Sequence, residues 1–85
     1  MATAKERNVA RRIEEILRLR RSPLAAQVAG VGNVLVLPQG VREQIIDELG
    51  EEFSKKGLKA DSEPNAYGLE IEALTDACGP WRGNQ

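Results

Sequence analysis

The sequence predicts an α+β fold: two long helices packed on one face of a small three-stranded sheet, with elements in the order α-α-β-α-β-β. Three observations point there. Val34, Leu35, Val36 and Leu37 form an unbroken apolar run closed by Pro38, as a strand covered on both faces would. Helical periodicity occupies the segments on either side of that run. After Gly57 the period of the pattern falls to two, the mark of a half-buried strand. Hydrophobic residues at 41% and charged residues at 29% place the chain among folded proteins. Its 85 residues fit one small domain over residues 1–76, followed by an irregular tail over 77–85 that contains Gly79-Pro80 and Gly83. Phe53, Tyr67 and Trp81 are the only aromatics, so the core must be aliphatic.

The first element is a helix from about Thr3 to Leu19. Val9, Ile13, Ile16 and Leu17 recur at helical spacing, with Ala10 at the edge of the stripe. On the opposite side Arg7, Arg11 and Arg18 fall within about 40° of one another at helical geometry. Glu14 and Glu15 flank them and offer the pairs Arg11–Glu15 and Glu14–Arg18. Arg20 projects toward the apolar side, so the helix is expected to fray there or the side chain to snorkel. Ser22-Pro23 is a helix start signal, and Leu24 to Ala29 gives a short second helix stopped by Gly30. The competing reading of this segment is a hairpin strand turning through Gly30-Val31-Gly32-Asn33.

Residues 33–37 are then the first strand, with Pro38 at its end because proline cannot donate to a ladder. A helix over 40–56 follows. Val41, Ile45, Leu49, Phe53 and Ile46 lie within an arc of about 140°, and Glu43, Asp47 and Glu51 stack on the far side. Glu51–Lys55 and Glu52–Lys56 are i,i+4 pairs in the favourable order. Gly50 breaks the pattern, either because it is tolerated or because a neighbour approaches closely. Gly57 is the expected left-handed residue after the cap, with Leu58 folding back on Phe53. Strands 58–63 and 67–74 complete the sheet as a hairpin about Glu63-Pro64-Asn65-Ala66, with Leu69, Ile71 and Ala73 inward and Glu70 and Glu72 outward.

The residue inventory argues against most chemistry. There is no histidine, which removes the commonest general base and metal ligand. Cys78 is the only cysteine, so it can form neither an internal disulfide nor a zinc site. Gly30-Val31-Gly32 precedes the apolar run instead of following a strand and opening a helix, unlike a dinucleotide-binding turn, and no GxxxxGK[ST] pattern is present. No apolar run approaches the ~18 residues of a membrane span, and the N-terminus has no secretory apolar core. The expectation is a cytoplasmic, non-enzymatic protein without cofactor, metal or membrane partner.

Charge is segregated: residues 1–22 carry seven basic and three acidic side chains, and residues 23–85 five and ten. Such a layout bears on partners. The expected role is protein interaction or self-association as a homodimer through the strand Val34, Leu35, Val36 and Leu37, of which one alternating pair, 34/36 or 35/37, faces the helices and the other the open side of the sheet. Trp81 is expected to cover that patch or to touch the partner. The alternative is nucleic-acid binding through Arg7, Arg11 and Arg18, against which stand a pI near 5.5 and the absence of RNA-binding motifs. No motif points to a particular family.

Overall fold

The computed structural model describes residues 3–78, and the tail with Trp81 lies outside the described residues. The described residues form four α-helices, α1 (Ala4–Leu19), α2 (Leu24–Val28), α3 (Gln39–Lys56) and α4 (Ala66–Ala77), with a 3-10 turn at Val34–Val36 between α2 and α3. The described residues contain no strand, only an isolated antiparallel bridge between Leu58 and Pro64. The predicted α+β class with a three-stranded sheet is therefore overturned, and the fold is helical.

α1 begins where the sequence places it. Thr3 and Glu6 form a reciprocal capping box, each side chain accepting from the other's backbone N–H. Ala10, Ile13, Ile16 and Leu17 are buried along its apolar stripe, and Val9 is half-buried. The helix does not fray at Arg20. Arg21 takes a left-handed conformation, φ 57°, while its N–H donates to Arg18 O and that of Ser22 to Leu17 O. This is the two-bond Schellman ending, with arginine in the place usually held by glycine. Ser22, itself buried, then accepts from Leu24 N–H and opens α2, which buries Ala25 and Val28. The short helix is the reading realised for this segment.

The first expected strand fails for want of a partner, since a strand's N–H and C=O groups need a neighbouring ladder. Residues 33–37 bond locally instead. Asn33 Oδ1 accepts from Leu35 N–H at 3.0 Å, and the Val36 and Leu37 N–H groups donate to Asn33 O and Val34 O. The 58–63 segment is a loop, with Lys59 N–H donating to Glu63 O and Asn65 N–H to Gly57 O. The last expected strand is α4. Tyr67, Ile71, Leu74 and Cys78 share a face at i, i+4, i+7 and i+11 and point inward, whereas Leu69 is 58% exposed. Leu69 and Ile71 lie about 200° apart on a helix, so they cannot share the inward face that a strand would give them.

α3 and α4 form an antiparallel hairpin that presses Gly57 against Gly68. Gly57 has φ −95° and is not left-handed. It is glycine because a Cβ there would lie 2.9 Å from Gly68 Cα. α1 packs chiefly on α2, and the pairs meet around Ile13, Ile16, Leu17, Ile45, Leu49 and Ile71, all at 1% exposure or less. Each such side chain stabilises the fold by about 1.5–3 kcal/mol relative to exposure.

Candidate interaction surface

The apolar run selected from sequence divides between core and surface. Val34 is 2% exposed and belongs to the core, Leu37 packs partly against it, and Leu35 and Val36 stand 47% and 74% exposed. The run is held in place from several sides. Asn33 caps the turn, and Arg42 at the start of α3 donates from Nε to Leu37 O and from Nη1 to Cys78 O, both at 3.1 Å. Arg42 thus ties the turn to the C-terminal end of α4, where a cation also meets the negative end of the helix dipole. Beside the turn lies a cleft of about 320 Å³ lined by Val9, Val34, Leu35 and Ala77 together with Lys5 and Glu6. The sheet face on which dimerisation was expected is absent, so Leu35 and Val36 are what remain accessible of that candidate surface.

The basic residues of α1 take different roles. Arg7 and Arg11 are exposed. Arg18 is committed to Glu14, with Nε at 2.8 Å and Nη2 at 2.5 Å from Oε2, as the spacing suggested. Glu15 turns to Arg12 instead of Arg11. Arg12 also forms a bidentate pair with Glu70 of α4, at 2.8 and 3.0 Å, which holds its guanidinium firmly protonated.

Sequence reasoning missed the main polar cluster of the fold. Arg20 donates to Glu48, Glu51 and Glu52 of α3 at 2.7, 2.6 and 3.1 Å. Glu52, only 2% exposed, also accepts from the Tyr67 hydroxyl of α4 at 2.8 Å. Burial opposes the charge on Glu52, but the bonds from Tyr67 and Arg20 outweigh it and hold the carboxyl below its usual range. Burial together with the bond to Glu52 pushes the Tyr67 phenol up to about 12. The signal was present in the chain: Arg20 and Glu52 each fall inside the apolar arc of their helix, and opposite charges on two apolar arcs can meet when the arcs pack. Glu51 and Glu52 accordingly turn to Arg20, not to Lys55 and Lys56 as the spacing suggested.

Cys78 is fully buried, and desolvation pushes its thiol up to about 11 despite nearby Arg42. Among the described residues no group of three acidic, cysteine or histidine side chains is placed to hold a metal ion. No helix there is long and apolar enough to cross a membrane. No protein-family model, curated protein or solved structure matches this chain.

Proposed function

We propose that the protein is a non-enzymatic interaction module that associates with a second copy of itself through the corner formed by Leu35 and Val36. The observation that carries this reading is the exposure of two adjacent large aliphatic side chains on a turn that Asn33 and Arg42 fix from both ends. A flexible loop would lose entropy on ordering at an interface; a turn already bonded in place loses less. The neighbouring cleft of Val9, Val34 and Ala77 offers apolar surface to a protruding side chain from another copy, and two-fold dimers are the commonest homo-oligomers.

The test is light scattering on the wild type and two variants across a concentration series. The wild type is expected to dimerise. The double variant Leu35→Asp, Val36→Asp is expected to stay folded and monomeric, because both positions face solvent. Val34→Asp is expected to unfold, because that side chain is in the core. A wild type that stays monomeric at high micromolar concentration would exclude self-association.

A further inference from the structure

Gly50 lies in the middle of α3, where glycine costs a helix about 1 kcal/mol relative to alanine. Nothing in the described structure requires it there, since an added Cβ would meet no atom within 4 Å. Gly50 instead lines two adjoining surface hollows. One, of about 420 Å³, lies between α3 and α4 and is lined by Phe53, Ile71 and Thr75. The other, of about 650 Å³, extends over the outer face of α3 beside Ile46 and Ser54. The floor is formed by Gly50 beside the half-buried Phe53, and it is dented where a side chain would otherwise stand. The rim is acidic: Glu72 and Asp76 on the α4 side, Asp47 and Glu51 on the α3 side, with Lys55 the one cation among the described residues that line either hollow. Of the four carboxylates only Glu51 meets a cation among the described residues, through Arg20.

We infer that this groove binds a basic amphipathic helix of a partner protein, whose apolar stripe lies over Gly50 and whose lysines or arginines meet Asp47, Glu72 and Asp76. The missing side chain lets a helix backbone approach α3 closely, and the acidic rim selects the sign of the flanking charge. The inference rests on the interaction reading but uses a different face from Leu35 and Val36.

The test is a titration of the ¹⁵N-labelled full chain with a synthetic helical peptide of about 18 residues, long enough to hold a helix. The peptide carries leucines at i, i+4, i+7 and i+11, lysines at the positions flanking that stripe and alanines elsewhere, so that it is helical on its own; a control carries glutamates for the lysines. The lysine peptide is expected to bind and to shift the amide signals of Gly50, Phe53 and Thr75, with affinity falling as salt rises. The glutamate peptide is expected not to bind. Gly50→Leu fills the dent without changing charge and should weaken binding by about tenfold or more, with an unchanged circular dichroism spectrum. The Leu35→Asp, Val36→Asp variant should bind like the wild type, so loss of self-association and loss of peptide binding are separate results. The inference is overturned if the lysine peptide does not bind, if its shifts map elsewhere, or if Gly50→Leu binds equally well. Binding that appears only in Trp81→Ala would identify the chain's own tail as the occupant. Gly50 shifts that depend on protein concentration without peptide would identify a second copy.

Discussion

A Cβ added to Gly68 would collide with the carbonyl oxygen of Gly57, which is backbone and cannot rotate away. One added to Gly50 meets open space. The same substitution should therefore change stability in opposite directions at the two positions. Gly68→Ala forces the α3–α4 hairpin apart and should destabilise by about 3 kcal/mol or more, at the upper end of overpacking effects. Gly50→Ala replaces a poor helix former with the best one and should stabilise by about 0.5–1 kcal/mol. Urea midpoints at a constant slope read both; a neutral or stabilising Gly68→Ala would mean that the Gly57–Gly68 approach leaves room for a Cβ. The sequence makes Gly57 visible as a helix stop but not as a contact. A left-handed glycine and a crowded glycine look alike until the partner backbone is known, and that partner, Gly68, lies in a segment that reads as a strand.

At the scale of elements, α1 and α3 were legible from a long 3.6-residue period, and α2 only as the favoured of two readings, through its start signal. The stripe from Val9 to Leu17, Ser22-Pro23, and the stripe from Val41 to Phe53 mark them. α4 was not legible, because residues 67–74 satisfy both periods. A run this short cannot decide between strand and helix by alternation alone. Its deciding residue is Asn65, whose Oδ1 accepts from Gly68 N–H at 2.7 Å while Nδ2 donates to Lys56 O at 3.0 Å. The side chain thus caps the start of α4 and also satisfies a carbonyl at the end of α3. Asn65→Ala should destabilise by about 1–2 kcal/mol, with circular dichroism at the unfolding midpoint as the check. Asn65→Asp keeps the acceptor but loses the donor, and should recover part of that loss. If Asn65→Ala is neutral, α4 is set by burial of Ile71 and Leu74 alone.

Across the whole molecule, Arg20 joins the end of α1 to α3, and Tyr67 carries the link through Glu52 to α4. Thirty-two positions separate Arg20 from Glu52, so the sequence offers the two charges but not their meeting. Arg20 has only 13% of its side chain exposed, and Glu52 3%. Such a pair contributes little beyond an apolar replacement, but losing one partner is costly because the other charge stays buried. Arg20→Met should therefore destabilise by about 3 kcal/mol at pH 7, and replacing Glu52 with Met in the same chain should recover part of that loss. The pH dependence follows from the direction of the Glu52 shift. Its folded pKa is depressed, so its contribution is fully present above the unfolded carboxyl value of about 4.3 and is lost as pH falls through the lower folded value. In Arg20→Met the bonds from arginine are gone and burial remains, so the Glu52 pKa rises and protonation relieves the buried charge. The deficit of the variant should shrink between pH 7 and pH 4, as the wild type begins to lose stability and the variant recovers it. Urea unfolding at both pH values measures the two differences. A deficit below about 1 kcal/mol and independent of pH would place the pair among ordinary surface ion pairs and leave the helices held by aliphatic packing alone.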